Sequence, residues 1–299
     1  MASLPWIVRF PSELRGGASL LRAAHRLVCA VLCMVGLQGL TATANPSAPV
    51  QVRPTPIPAP PASCSQRVYL TFDTGHMGVA DHIANVLSQT GVRVTFFAAN
   101  ERTQVGDGSL GEHWASWWKA RAAEGHQFAS HTFDHVYWRA DLPHGDFQVR
   151  PSAGPRQGQT EVMSAAKYCA EIKRASTRLD QITGQASLPL FRAPGGKTSK
   201  ALEAAARSCG YAHVGWAPAG FLGDELPSDR FPNEALLRQA LERIRAGDIL
   251  VAHLGIWSRK DPWAPTVLKP LIDGLQAKGF CFDTLDHHPA YRQWVSGQR

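Results

Sequence analysis

Short apolar runs alternate with longer amphipathic stretches through most of the chain beyond residue 65. Seven runs rich in β-branched or aromatic residues predict strands at 68–72, 92–97, 127–130, 190–192, 212–216, 249–252 and 280–285. Helical periodicity between these runs predicts helices at about 79–90, 112–124, 159–183, 199–209, 233–246 and 265–278. Strands that alternate with helices are typical of parallel strands joined by crossover helices. The pattern therefore predicts an α/β fold, a (β/α) barrel of seven parallel strands, in a single domain over residues 66–290.

The N-terminal 44 residues have the pattern of a secretory signal peptide. Four arginines precede an uncharged apolar run at 27–40, and small residues follow it at 42–44. The run is short for a membrane span, which favours a cleaved signal over an uncleaved membrane anchor. Residues 45–65 follow as a Pro-rich linker, and residues 291–299 are predicted as a C-terminal tail. We therefore expect a periplasmic or secreted protein with no stable membrane span after removal of the signal.

Composition and charge narrow the classes of partner. The chain of 299 residues is 44% hydrophobic and 18% charged, which is enough apolar material for a full-sized core. The predicted signal carries four of the 31 basic residues and one of the 24 acidic residues, so its removal takes the net charge from +7 to +4. Lysines and arginines form no block along any segment. We therefore expect no nucleic-acid partner and at most a mild attraction to an anionic polymer.

Four cysteines remain after the predicted signal, an even number that permits two disulfides in an exported protein. Four cysteines allow three pairings. Cys64 and Cys281 flank the first and last predicted strands, which favours a bond between them and leaves Cys169 to pair with Cys209.

Acidic, imidazole and guanidinium side chains follow four of the predicted strands. In a (β/α) barrel the carboxyl ends of the strands meet at one rim, where the chemistry is found. The sequences there are TFDTG at 71–75, HTFDH at 131–135, RAPGG at 192–196 and ILVAH at 249–253. In this order and spacing they resemble the motifs of the polysaccharide deacetylases, also called carbohydrate esterase family 4 or the NodB-homology group, over residues 66–290.

The resemblance implies a deformed (β/α) barrel that hydrolyses the N-acetyl group of an amino-sugar polymer. It also implies a divalent metal, commonly zinc, with cobalt or nickel as alternatives. His131 and His135 match the metal ligands. Asp73 matches the base that deprotonates a metal-activated water, and His253 matches the acid that protonates the leaving nitrogen. Arg192 would orient Asp73.

The residue types suit these roles on chemical grounds. An amide needs an activated water, a polarised carbonyl and a proton for the departing amine. Imidazoles four residues apart, as at 131 and 135, can turn to one side and bind zinc. The guanidinium of Arg192 offers a fork that matches a carboxylate, and the imidazole of His253 titrates near neutral pH.

One departure from the family pattern concerns the metal. The family has a second acid directly after the position of Asp73, and this acid is its third metal ligand. The present chain has Thr74 there, and a neutral hydroxyl is a far weaker ligand. The third ligand therefore stays open among Thr74, His76 and Asp134.

A second departure concerns the arginine. The family has an Asp shortly before a Trp to pair with it, and no acid immediately precedes Trp216. Asp224, on a longer loop, is the candidate partner of Arg192 and would also shape the substrate groove.

Residues expected to contact the substrate lie at the same rim. They are Pro194, Gly195, Trp216, Trp257, Tyr137 and Asp224. Aromatic faces can pack on sugar rings, and a glycine lets backbone approach a ligand, with core packing as the alternative for the aromatic residues. Two insertions, at 106–112 and 137–159, follow the second and third predicted strands and are expected to determine which glycan fits.

These observations predict an exported hydrolase of carbon–nitrogen bonds. Its substrates would be glycans with N-acetylglucosamine-type units, in peptidoglycan or a surface polysaccharide. Two alternatives remain: a non-catalytic glycan-binding pseudoenzyme that has lost the metal, and an amidase or imidase acting on small cyclic amides. Retention of Asp73, His131, His135 and His253 favours the enzyme over a binding module. The export signal and the Pro-rich linker favour a polymer over a small cyclic amide.

Overall fold

The computed structural model describes residues 54–298. The predicted signal peptide at 1–44 and the predicted linker up to residue 53 lie outside the described residues. Within residues 54–298, no helix combines the length and the apolar character needed to cross a membrane.

Ten strands are present in the described part of the chain. They are β1 (Arg67–Asp73), β2 (Thr95–Ala98), β3 (Gln127–Ser130), β4 (Val136–Asp141), β5 (Asp146–Pro151), β6 (Glu161–Ser164), β7 (Leu190–Phe191), β8 (Ala212–His213), β9 (Ile249–His253) and β10 (Cys281–Phe282). All except β4, β5 and β6 belong to one parallel sheet. β1 lies at its centre between β2 and β9, and β3, β7 and β8 continue from β2. The sheet curls into a half-barrel, so the predicted deformed (β/α) barrel of seven parallel strands is confirmed.

Helices lie between the strands, as predicted. The seven in the described residues are α1 (Ala80–Thr90), α2 (Glu112–Ala123), α3 (Ala165–Thr183), α4 (Lys200–Ser208), α5 (Asn233–Arg243), α6 (Trp263–Ala277) and α7 (Arg292–Gln298). Local signals explain the ends of α3. The Ser164 hydroxyl accepts a hydrogen bond from the Lys167 N–H at its start, and Gly184 follows its end with a φ of 70°.

The central strand shows how the core and the site are separated. Residues 68–73 of β1 are all buried, because the sheet is covered on both faces. Val68, Leu70 and Phe72 pack into the main hydrophobic cluster with α1, α2 and α6. Because side chains alternate along a strand, Thr71 and Asp73 project to the opposite face, into the half-barrel.

Two segments differ from the predicted elements. Residues 136–164 were expected to be mostly an insertion loop leading into a helix from 159, and they form a three-stranded antiparallel sheet, β4–β5–β6. Phe147 and Val149 are buried at alternate positions of β5, so this sheet has its own apolar face. The predicted tail at 291–299 contains α7, which Val295 anchors in the core.

Both predicted disulfides are confirmed. Cys64 bonds to Cys281, which ties the segment before β1 to β10. Cys169 on α3 bonds to Cys209 after α4.

The described part of the Pro-rich segment contacts the barrel. Ile57 is buried, and its N–H donates to the Glu124 carbonyl oxygen at 3.0 Å. The Arg67 guanidinium donates to the carbonyl oxygens of Pro61, Ala62 and Cys64. These hydrogen bonds hold Ile57 at the end of α2 and residues 61–64 near the start of β1.

Replacing both Cys64 and Cys281 with serine is expected to lower the free energy of unfolding by about 2–5 kcal/mol. The bond spans 217 residues, and closing so long a loop restricts the unfolded chain strongly. Denaturant unfolding measures the loss. The Cys169→Ser/Cys209→Ser variant opens a loop of only 40 residues and should lose about 1.5 kcal/mol less. An unchanged unfolding midpoint in the first variant would contradict the prediction.

Candidate active site

The carboxyl ends of four parallel strands bring the predicted catalytic and metal-binding residues together. Asp73 ends β1 and lies directly opposite His253, the last residue of β9. His131 follows β3, and Arg192 follows β7. The strand register therefore places these side chains at the same rim, as the parallel arrangement requires.

Arg192 holds Asp73 inside the half-barrel. Its Nη1 donates to Asp73 Oδ1 at 2.6 Å and to Thr71 Oγ1 at 2.8 Å. Burial alone would raise the pKa of Asp73, but the Arg192 charge and the neighbouring His131 and His253 lower it below its usual value. Asp73 is therefore a carboxylate at neutral pH.

The remaining donors of Arg192 go to backbone rather than to a second acid. Nε donates to the Val214 carbonyl oxygen at 3.2 Å, and Nη2 donates to the Gly215 carbonyl oxygen at 3.3 Å. The guanidinium also lies over the Phe97 ring at 4.2 Å. The predicted pairing of Asp224 with Arg192 is not observed, because Asp224 contacts His253 instead.

His131 and His135 face each other across a short gap, with 3.2 Å between their Nε2 atoms. His131 Nδ1 lies 2.9 Å from the Arg192 carbonyl oxygen, which can only accept, so Nδ1 carries the hydrogen. His135 Nδ1 bonds to Ser152 Oγ, whose hydrogen points to the His135 carbonyl oxygen. Both Nε2 lone pairs therefore point into the gap.

This arrangement suits a cation. Burial lowers the pKa of His131 to about 4, so its imidazole is neutral. Two facing lone pairs repel each other unless a positive charge lies between them, and hydrogen-bonded Nδ1 atoms are typical of histidines that bind metals through Nε2. Thr132 and His135 have φ values of 60° and 49°, so the loop that presents the pair adopts a strained backbone. The pair fits a divalent metal at two coordination positions.

None of the three candidates for a third ligand lies on the imidazole pair. Thr74 Oγ1 accepts from the Ala99 N–H and donates to Glu101 Oε2. His76 Nδ1 accepts from the Gly78 N–H, and its ring packs against Trp257. Asp134 forms an ion pair with Arg174. Across residues 54–298, no three His, Cys, Asp or Glu side chains are arranged to hold a metal ion.

His253 is paired with Asp224. The backbone N–H of His253 donates to Asp224 Oδ2 at 2.6 Å. Both carboxylate oxygens of Asp224 lie 3.1 Å from the ring nitrogen Nδ1 of His253. Burial alone would lower the pKa of His253, but the Asp224 carboxylate outweighs it and raises this pKa to about 10. The imidazole is therefore protonated at neutral pH.

A cavity of about 490 Å³ opens at this rim, and its walls include Glu101, His131, His135, Tyr137, His253 and Trp257. Tyr137 meets the His135 ring edge to face, with 4.9 Å between ring centroids. Gly195 also lines the cavity and leaves no room for a side chain, because a Cβ there would lie 2.9 Å from the Tyr137 ring. Trp257 is 57% exposed, with the Arg102 guanidinium 5.0 Å from its ring centre.

Of the other predicted substrate contacts, Asp224 contacts His253, and Trp216 and Pro194 lie behind this wall. Trp216 packs against Phe221 and beneath Gly196. Pro194 is buried in a single-turn helix at 194–196. Of the six predicted contacts, Tyr137, Gly195 and Trp257 face the cavity.

Two residues of the site were missed from the sequence. Glu101 follows β2 at the same rim, and the position after that strand was the available signal. Ser152, which orients His135, follows β5 of the antiparallel sheet that was interpreted as an insertion loop.

Comparisons with known proteins agree with this fold. A relative from Geobacillus stearothermophilus, described as an uncharacterized 30.6 kDa protein, is 23% identical over 224 residues, which are 74% of this chain and 70% of its own length. A family 4 acetyl xylan esterase from Clostridium thermocellum, solved with a cobalt ion, shares the fold with a TM-score of 0.57 and 19% identity, covering 76% of this chain and 92% of that chain. A family 4 pseudoenzyme from Bacillus anthracis also shares it, with a TM-score of 0.54 and 15% identity over 79% of this chain and 69% of that chain.

The sequence model of the polysaccharide deacetylase family matches residues 62–214, which is just over half of the chain. This match includes the segments that carry Asp73, His131, His135 and Arg192. The chain therefore belongs to the polysaccharide deacetylase family, hydrolases that act on carbon–nitrogen bonds in polysaccharides.

Proposed function

We propose that this protein is an exported, metal-dependent deacetylase of glycans that contain N-acetylglucosamine-type units. The observation that carries the proposal is one rim of the sheet that holds an ionised acid, a protonated imidazole and a pair of facing imidazoles. Each is held in its state by its own partner: Arg192 for Asp73, Asp224 for His253, and hydrogen bonds at Nδ1 for the pair.

His131 and His135 would hold the metal through their Nε2 atoms, with zinc as the first choice and cobalt or nickel as alternatives. When bound, the metal acts as a Lewis acid that makes water more acidic and polarises a carbonyl oxygen.

Asp73 is the proposed base. Arg192 engages Oδ1, which leaves Oδ2 to accept a proton, and Oδ2 lies 3.6 Å from His131 Nε2. The lowered pKa keeps Asp73 deprotonated at neutral pH, so it can accept a proton.

His253 is the proposed acid. Its Nδ1 is engaged by Asp224, so Nε2 is the atom that gives a proton to the departing sugar amine. The raised pKa keeps that proton in place until the nitrogen becomes strongly basic as its bond to the acetyl carbon breaks.

The cavity walls suit a sugar. Trp257 presents an exposed aromatic face at the mouth, and Tyr137 and Gly195 form the wall beside His135. Aromatic faces pack on the apolar faces of sugar rings, which supports a glycan over a small cyclic amide.

Export to the periplasm or outside the cell is part of the proposal. Two disulfides in the described residues are typical of an oxidising compartment. The signal-like N-terminus supports the same assignment.

A glycan-binding pseudoenzyme is the second candidate. It is favoured by the presence of Thr74 at the position where the family has an acid. With Thr74 in place of an acid, the imidazole pair has no carboxylate ligand placed on it. The Bacillus anthracis protein of the same fold is a pseudoenzyme by its own description.

Acetate release tests the proposal. The purified protein, with zinc or cobalt supplied, is expected to release acetate from chitooligosaccharides or peptidoglycan, to stop when a chelator removes the metal, and to resume when metal is returned. Acetylated xylan serves as the comparison substrate, because its acetyl groups are esters. Glycan binding without acetate release at any metal concentration would establish the pseudoenzyme instead.

A further inference from the structure

Glu101 is a second acid near the imidazole pair, in addition to Asp73. Its Oε1 is 3.8 Å from His135 Nδ1, the ring nitrogen that does not face the gap, and its side chain lines the cavity with an exposed fraction of only 19%. Within the described residues no lysine or arginine forms an ion pair with it, whereas Asp73, Asp134 and Asp224 each have a cationic partner.

Thr74 holds this carboxylate by a specific hydrogen bond. The Ala99 N–H donates to Thr74 Oγ1 at 3.1 Å, so the hydroxyl hydrogen is free to point elsewhere. It points to Glu101 Oε2, at 2.7 Å. The residue that replaces the family's second acid therefore directs another acid toward the same place.

The backbone of Glu101 is also fixed. Its N–H donates to Ser109 Oγ, and its carbonyl oxygen accepts from the Ser109 N–H, both at 2.9 Å. Ser109 is fully buried and donates from Oγ to the Ala99 carbonyl oxygen. Such bracing of an acid next to a charged site is typical of a positioned functional group.

An aspartate at position 74 would be incompatible with this arrangement. An ionised aspartate has no hydrogen to donate to Glu101 Oε2, which now accepts from the Thr74 hydroxyl. Two carboxylates would then face each other at hydrogen-bond distance. A threonine at 74 and a glutamate at 101 are therefore complementary. Together they carry one negative charge, the same charge that an aspartate at 74 alone would carry.

We propose that Glu101 supplies the carboxylate of the metal site in place of the acid absent at position 74. The inference rests on the proposed function, since it concerns the metal of that same site. In the structure the Glu101 carboxylate lies on the Nδ1 side of His135 and not at the two Nε2 atoms. Glutamate has a flexible side chain, so its carboxylate can turn from the Thr74 hydroxyl to a cation held by the two Nε2 atoms while the backbone stays braced by Ser109.

The Glu101→Gln variant tests this assignment. Glutamine keeps an oxygen that accepts from Thr74 and removes the charge, so the fold should be retained. Zinc affinity measured by calorimetry is expected to fall at least tenfold, and the visible absorption of bound cobalt should change in intensity. Glu225→Gln is the matched control, because Glu225 lines the same cavity without contacting the pair, and its zinc affinity should stay within about twofold.

A second variant separates a ligand from a merely structural residue. Thr74→Asp combined with Glu101→Gln returns one carboxylate at position 74 and should recover the zinc affinity lost in Glu101→Gln. Equal zinc affinity in Glu101→Gln and the unaltered protein would overturn the inference and leave the proposed function standing. An unaltered protein that binds no zinc or cobalt would instead overturn the metal dependence itself.

Discussion

Replacing Asp73 with asparagine is expected to lower kcat for acetate release by about 10²–10⁴-fold. Asparagine still accepts the hydrogen bond from Arg192 Nη1, so the geometry at 2.6 Å can persist. It cannot take a proton from water, and removing the base removes that step. Steady-state acetate release at saturating glycan measures the effect, with zinc content determined on the same sample.

The same substitution should also destabilise the protein, and a control separates the two effects. Arg192 is fully buried, and loss of its charged partner costs on the order of 3 kcal/mol of unfolding free energy. Asp283 is another buried aspartate paired with an arginine, Arg67, at the opposite end of the sheet. Asp283→Asn should therefore lower stability and leave kcat unchanged. A kcat within tenfold of the unaltered protein for fully zinc-loaded Asp73→Asn would exclude Asp73 as the base.

The sequence predicts the elements correctly where its hydrophobic pattern matches the burial of side chains in the structure. The predicted strand at 127–130 coincides with β3, and the helix at 112–124 with α2, because each is bounded by polar residues or glycine. The antiparallel sheet at 136–164 was missed, because its exposed strands carry many charged residues and its apolar face is only a few residues wide. Its pairing depends on contacts between strands, which local sequence does not encode.

The site also has one part that the sequence predicts and one part that it does not. Asp73, His131, His135, Arg192 and His253 follow strands, so parallel topology alone predicts that they meet. The choice of partners could not be predicted in this way, because it depends on where long loops return.

Asp224 and Glu101 illustrate this limit. Asp224 was predicted to reach Arg192 and instead contacts His253, 29 residues away in sequence. Glu101 stands 27 residues from Thr74, and only the folded chain reveals that the two share a hydrogen bond.

The two ion pairs at the rim have opposite effects on protonation. Arg192 keeps Asp73 deprotonated, and Asp224 keeps His253 protonated. Adjacent groups whose pKa values are pushed apart in this way are suited to act as base and acid in one reaction at neutral pH.

The Asp224→Asn variant is therefore expected to move the alkaline limit of activity to lower pH. The acid must be protonated, so kcat falls as pH rises through the pKa of His253, which Asp224 raises to about 10. Without that charge the largest raising influence is lost, and the pKa should fall toward its ordinary value of 6.5. At pH 8 a pKa of about 6.5 leaves about 3% of the imidazole protonated, a loss of about 30-fold in kcat that should shrink toward pH 6.

The shape of the pH profile distinguishes this role from a structural one. Loss of packing alone would lower kcat by the same factor at every pH, whereas loss of the charge should move the alkaline limb of the profile by several units. Asp73 and Glu225 also raise the pKa of His253, but less than Asp224 does. Glu225→Gln should therefore shift the limb in the same direction by a smaller amount. An Asp224→Asn profile parallel to that of the unaltered protein between pH 6 and pH 9 would show that His253 is not the acid.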